Sequence, residues 1–204
     1  MGIYRREVLP RFIDKALGTA DVRRWRERCV DGLEGHVVEP GFGSGLNLPV
    51  YPDAVTRVSA IDPAEVGRRL AAERLAATPV EVDFVGLDGQ AIPLADNTCD
   101  AGLLTFTLCT IPDAQVALAE LHRVIKPGGR LHFLEHGHAP EPNVATWQRR
   151  IEPAQRRLFD GCHLTRNMTE LIGDARFEIE WVEETYSKGP KPWSFFYLGQ
   201  AVAA

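Results

Sequence analysis

Paired cysteines are missing from this chain: Cys29, Cys99, Cys109 and Cys162 are scattered, with no Cys-x-x-Cys among them. That spacing suggests neither a disulfide framework nor a zinc site, so the thiols read as reduced, as in a cytoplasmic protein, and no metal is expected. Long apolar runs are missing too. The first ten residues are interrupted by Arg5, Arg6 and Glu7, and no stretch approaches a signal h-region or a membrane span, so stable membrane insertion is not expected. Positive charge is not in excess: 23 Lys and Arg against 28 Asp and Glu leave a net charge of -5. Nothing electrostatic then favours nucleic acid as a partner. With 204 residues, 45% hydrophobic and 25% charged, the chain has the composition of one soluble globular domain spanning 1–204, and its oligomeric state is left open.

What is present is organised around Val37-Val38-Glu39-Pro40-Gly41-Phe42-Gly43-Ser44-Gly45-Leu46-Asn47. A short apolar run that ends in an acid and breaks into alternate glycines reads as a buried strand. Gly41, Gly43 and Gly45 then let the backbone turn sharply and approach a ligand. The next strand, Val55–Ile61, ends in Asp62, about twenty residues beyond the glycines, where an adenosine-binding βαβ unit places a carboxylate for ribose hydroxyls. Dinucleotide sites use Gly-x-Gly-x-x-Gly, whereas here the spacing is Gly-x-Gly-x-Gly, which argues against a pyrophosphate and a nicotinamide-dependent oxidoreductase. Glu39 would repel phosphates and suits a ligand with positive charge. S-adenosylmethionine, which carries a sulfonium and an ammonium group, fits both observations.

The acid-and-glycine pattern followed by a second acid resembles the first motifs of the class I S-adenosylmethionine-dependent methyltransferases. The resemblance implies cofactor roles for Glu39, the three glycines, Asp62 with Pro63, Asp88 and Gly89 near the adenine, and Thr105 and Phe106 beside the methionine end. Asn47 either turns its amide to the ligand or braces the turn. Asp88 is alternatively a turn aspartate bonded to its own backbone. Leu121-His122-Arg123-Val124-Ile125-Lys126-Pro127-Gly128-Gly129-Arg130-Leu131 is a frequent feature of the same family, with a structural job.

Along the chain, residues 4–29 look helical, with Asp21 as a plausible cap for a second segment crowded by Arg23, Arg24, Arg26 and Arg28. That segment is either a solvated basic face or, with the rest of residues 1–34, a helical lid over the cofactor, in which Tyr4 is the residue to test. Helices over 64–77 and 114–125 alternate with strands over 80–85 (near a sheet edge), 101–105 and 130–135. Strands over 177–184 and 194–202 lie too close for a helical crossover and should pair antiparallel. The expected fold is therefore α/β: a doubly wound, mainly parallel, seven-stranded Rossmann-like sheet with its crevice at the strand carboxyl ends.

Phe133-Leu134-Glu135-His136, Trp147 and Leu158-Phe159-Asp160-Gly161-Cys162-His163-Leu164-Thr165-Arg166 resemble a narrower subgroup: the microsomal alkyl-thiol methyltransferases and bacterial small-molecule methyltransferases. Two departures stand out: the N-terminal hydrophobic anchor of the membrane-bound members is lacking, and Pro40 and Phe42 replace usual residues of the glycine motif. The implied reaction is in-line methyl transfer to a small, fairly apolar acceptor, a thiol or sulfide favoured, with S-adenosylhomocysteine as product. N-, O- or C-methylation of a lipid head group, quinone or other metabolite is the alternative, and a non-catalytic S-adenosylmethionine-binding protein is the reading from another class. His136, His138 and His163 are candidates to remove the acceptor proton because imidazole titrates near neutrality. Asp160 and Arg166 either shape the acceptor pocket or close a loop as a salt bridge. Cys109 and Cys162 read as small packing residues. Trp147, Leu158, Phe159, Trp181 and Trp193 offer apolar area that either lines the acceptor pocket or packs the core.

Overall fold

A computed structural model describes residues 4–204. Seven strands, β1 (Gly35–Pro40), β2 (Val55–Ile61), β3 (Glu81–Gly86), β4 (Cys99–Thr105), β5 (Ile125–His136), β6 (Phe177–Tyr186) and β7 (Phe195–Ala203), form one sheet in the order β3-β2-β1-β4-β5-β7-β6. Only β7 runs against its neighbours, paired antiparallel with both β5 and β6. The alternation of strand and helix, the antiparallel final pair and β3 at the sheet edge thus all stand as the sequence predicted.

The central strands are buried on both faces, and successive residues alternate between two cores. Leu131 and Phe133 of β5 join one cluster with Leu118 and Leu121 of α4 (Ala114–Val124) and Ile172 of α6 (Met168–Asp174). Leu134, one residue on, joins the other with Cys29 of α2 (Ala20–Cys29) and Ala71 of α3 (Glu65–Ala77). Two more helices, α5 (Pro142–Leu158) and the single turn α7 (Lys191–Ser194), lie between β5 and β7 in sequence.

Several boundaries differ from the sequence reading. The cap of α2 is Thr19, whose hydroxyl accepts from Val22 N, so Asp21 lies in the first turn. No α-helix follows the glycine loop, because Pro49 and Pro52 restrict it to a 3-10 turn, Leu48–Val50. Residues 126–129 do not simply end α4; they bulge out of β5 between the Cys99–Ile125 and Ala101–Arg130 pairings. Of the N-terminal segment, α2 packs against the sheet through Cys29 and Val30. The π-helical turn Tyr4–Val8 and α1 (Leu9–Leu17) instead run from α3 to the end of α5. Asp14 pairs with Arg74 at 3.0 Å, Glu7 pairs with Arg69 at 3.2 Å, and Phe12 meets Phe159 at 6.1 Å between ring centroids.

Candidate functional site

Strand order reverses between β1 and β4, the place where open α/β sheets bind ligands. There a small cavity of about 80 Å³ is lined by the glycine loop, Asn47, Thr105 and Phe106, together with Ile13 and Leu17 of α1 and Arg26 of α2. A surface hollow of about 860 Å³ is larger but lies at the amino ends of the strands, between residues 48–56 and 73–80. Its position separates it from the chemistry of the loops.

All three loop glycines take positive φ, +73°, +56° and +70° for Gly41, Gly43 and Gly45. A Cβ at Gly41 would lie 2.1 Å from Thr107 Oγ1, whereas one at Gly43 would find no atom nearer than 3.7 Å. Asp62 closes the loop from β2: one carboxylate oxygen accepts Gly43 N and the other Ala64 N, each at 2.7 Å. Burial pushes its pKa up, and those two backbone bonds pull against the shift. Two of the four acceptor positions of this carboxylate are used.

Behind the loop, five side chains form one largely buried network. Asn47 Nδ2 donates to Glu39 at 2.6 Å and to Thr105 Oγ1 at 3.0 Å. Arg26 Nη1 donates at 2.7 Å to both Asn47 Oδ1 and Thr105 Oγ1. The Tyr51 hydroxyl donates to the second Glu39 oxygen. Burial raises the Glu39 pKa from 4.5 to about 7, despite the Tyr51 and Asn47 bonds and the nearby Arg26 charge. Asn47 is therefore a brace of the turn, and Glu39 is the anchor it braces against. Phe106 completes the wall in a left-handed backbone conformation (φ +55°), pinned by its N–H to Leu134 O at 2.9 Å and by Phe196 at 5.2 Å.

Toward the far end of the crevice the Glu135 carboxylate is fully buried, accepts Thr107 N and Leu108 N at 2.7 and 2.9 Å on one oxygen, and leaves the other without a partner. His136 Nε2 sits 3.1 Å from Cys162 Sγ, and Cys162 Sγ sits 3.9 Å from Cys109 Sγ. Burial works against the imidazolium, but Cys162 and Glu135 outweigh it and raise the His136 pKa. Its neighbour Cys109 and burial push the Cys162 thiol up. His163 binds Glu152 at 3.0 Å, and burial lowers its pKa. Glu152 also receives Leu164 N and Thr165 N, so His163 belongs to the scaffold of this loop. Arg166 donates to the carbonyls of Leu108, Ile111 and Pro112, tying the loop after β4 to the loop after α5.

Other expected residues fall elsewhere. The Tyr4 hydroxyl donates to Leu158 O at 3.1 Å and leaves the cavity wall to Ile13 and Leu17. Asp88 is exposed and accepts Gln90 N at 2.9 Å, which makes it the turn aspartate of the two alternatives; Gly89 beside it packs on Pro40. Pro63 is exposed just before α3, Asp160 is an exposed left-handed turn residue, and the His138 carbonyl receives the Tyr197 hydroxyl. Trp147, Trp181 and Trp193 are each more than a third exposed and lie on α5, the edge strand β6 and α7, so they line no common pocket. Arg26 was hidden in the sequence by its arginine-rich neighbours. Its helical spacing from Val22 and Cys29 is the signal that places it inward.

The residues fit S-adenosylmethionine on structural grounds: Arg26, on the cavity wall, has a buried Nε without a partner, and Gly43 leaves side-chain space open. Comparison with known proteins agrees. Residues 38–133 match a family described as a methyltransferase domain. The chain is 32% identical over 174 residues to thiol S-methyltransferase TMT1B of Homo sapiens, covering 82% of this chain and 69% of that one. It is also 32% identical over 152 residues to demethylmenaquinone methyltransferase of Paenarthrobacter aurescens (strain TC1), covering 70% and 56%. The chain spans between 56% and 73% of the length of curated relatives such as these, 62% for the rat form of the thiol enzyme. A methyltransferase structure from Thermotoga maritima, described as a possible histamine N-methyltransferase, shares the fold with a TM-score of 0.69 at 20% identity over 98% of this chain and 99% of that one. Fold, glycine loop and relatives converge: the chain belongs to the class I S-adenosylmethionine-dependent methyltransferases.

Proposed function

We propose that this protein methylates a small, fairly apolar acceptor, with a thiol or sulfide preferred. The observation that carries the preference is the commitment of the imidazoles: His136 Nε2 is held against Cys162 and His163 against Glu152. His163 is a weakened base, and His136, although its pKa is raised, has Nε2 turned to Cys162 and Nδ1 buried. A thiol with a pKa near 8.5 needs the least help to present its lone pair, whereas a hydroxyl or carbon acceptor needs much more. Similarity to a thiol S-methyltransferase supports the same choice.

S-adenosylmethionine, when bound, supplies an electrophilic methyl group on a sulfonium. The chain's own part is positioning and exclusion of water, which can account for much of the rate in a displacement of this kind. Gly41, Gly43 and Gly45 bring backbone to the ligand, Asp62 has acceptor capacity left for ribose hydroxyls, and Glu39 with Asn47 and Thr105 holds the loop in shape. The cavity is far below the roughly 300–1,000 Å³ of ligand pockets, and Ile13 and Leu17 of α1 form part of its wall. Helix α1 is thus a lid that moves to admit the cofactor and closes over it.

The test is formation of S-adenosylhomocysteine with hydrosulfide, a short alkyl thiol and a demethylated quinone. Acceptor-dependent product with the sulfur nucleophiles is expected. Turnover confined to the quinone would replace the acceptor class; cofactor binding without turnover on any of the three would leave a cofactor-binding protein.

A further inference from the structure

Cys109, His136 and Cys162 come from three separate places in the chain, the loop after β4, the end of β5 and the turn after α5, yet their donor atoms all lie within 4.8 Å of one another. The two sulfurs are 3.9 Å apart and the imidazole Nε2 is 3.1 Å from Cys162 Sγ. Around a tetrahedral zinc with ordinary bond lengths, two thiolates sit about 3.8 Å apart and a thiolate and an imidazole nitrogen about 3.6 Å apart. The sulfur–sulfur distance is within about 0.1 Å of that arrangement, and the sulfur–nitrogen distance is about 0.5 Å short of it. Apolar packing would require neither sulfur nor nitrogen at these positions.

The supporting structure is also that of a ligand set. Cys109 and Cys162 are 2% and 7% exposed. Gln155 Nε2 lies 3.5 Å from Cys162 Sγ, the kind of donor that supports a coordinated thiolate. Gly161 at φ +90° turns Cys162 inward. Arg166 and Glu152 hold the two cysteine-bearing loops from independent sides, and His163 N donates to Cys109 O at 2.8 Å across them.

We propose that Cys109, His136 and Cys162 bind a thiophilic cation of the Zn²⁺ class. Three protein ligands leave a fourth position for water or an exogenous thiolate, the ligand count of catalytic rather than structural zinc sites. Binding converts two thiols to thiolates and releases two protons to solvent, with no change of oxidation state. The site uses the same His136–Cys162 contact as the acceptor reading above, but it is tested without turnover, so the failure of one is distinguishable from the failure of the other.

The experiment is titration of the full, reduced, chelator-treated chain with Co²⁺ followed by Zn²⁺. One Co²⁺ per chain with a tetrahedral visible spectrum and a thiolate charge-transfer band, displaced by Zn²⁺, is expected. Cys109→Ser and Cys162→Ser should abolish the band, and His136→Gln should weaken binding by at least the roughly 10–100-fold seen for loss of supporting contacts. Cys29→Ser and Cys99→Ser should leave the spectrum unchanged. Should a ligand variant fail to fold, the wild-type chain still decides: bound Zn²⁺ must slow alkylation of the Cys109 and Cys162 peptides relative to the metal-free chain, and leave the rates at the fully buried Cys29 and Cys99 as they were. Absence of the tetrahedral spectrum, its survival in both ligand cysteine variants, or alkylation of Cys109 and Cys162 at the same rate with and without Zn²⁺ would overturn the site.

Discussion

Gly41→Ala separates two reasons for a glycine at the end of β1, room for a ligand and room for the chain itself. A Cβ there would lie 2.1 Å from Thr107 Oγ1, 2.4 Å from its Cγ2 and 2.8 Å from its Cβ, at φ +73°. Left-handed backbone costs an alanine about 1–2 kcal/mol, and shifting the buried threonine costs about 1–3 kcal/mol more. With no cofactor present, the variant should lose about 2–5 kcal/mol of unfolding free energy by denaturant titration. Gly43→Ala has φ +56° and no atom nearer than 3.7 Å, so only the backbone cost of about 1–2 kcal/mol applies to it. Thr107→Ala removes the two nearest atoms, so the Gly41→Ala/Thr107→Ala pair should recover about 1–2 kcal/mol relative to additivity. Equal losses for the two glycine variants, or a strictly additive double mutant, would refute the steric reasoning and return Gly41 to the ligand.

Glu39, with its pKa raised from 4.5 to about 7, is protonated more readily in the folded than in the unfolded chain. Its ionisation therefore removes stability as pH rises from about 4.5 to about 7, by up to about 3 kcal/mol, and stability against pH should lose that slope in Glu39→Gln. Arg26→Met leaves Glu39 buried without its nearby cation and removes two bonds of 2.7 Å; a loss of about 3–5 kcal/mol is expected in denaturant unfolding, and a loss below about 1 kcal/mol would deny the network its importance. Asp62→Ala should weaken S-adenosylmethionine binding by about 2–4 kcal/mol in calorimetry, and unaltered affinity would dismiss the ribose role. Asp14→Asn, which breaks the 3.0 Å pair with Arg74, should speed cofactor association in stopped-flow measurements if α1 is the lid, whereas an unchanged rate would place the entry elsewhere.

The fold was legible because its signals are local. Glycines that allow a sharp turn, alternating apolar residues and the short spacing between the last two strands each act within a few residues, and each was found where the sequence put it. The site was legible only as far as motifs reach. Gly41 to Asn47, Thr105 and Phe106 gather around the cleft, with Asp62 bonded to its loop; the spacing pointed to the glycines and Asp62, and only the family resemblance to Thr105 and Phe106. Tyr4 and Asp88 do not contact the cavity, since Leu158 O takes the one and the backbone of Gln90 the other.

What tertiary structure alone decided is which atoms are already spoken for. Arg26, Tyr51 and Glu39 lie on three elements, and nothing in the separate segments shows that one buried charge answers another. Cys109, His136 and Cys162 are likewise unremarked at spacings of 27 and 26 residues and become a cluster only when β4, β5 and the turn after α5 are set side by side. Sequence periodicity reports on burial and backbone conformation, which neighbours along the chain enforce. Hydrogen-bond commitment and ligand geometry depend on distances of about 3 Å between remote segments, and those exist only after the sheet has been ordered.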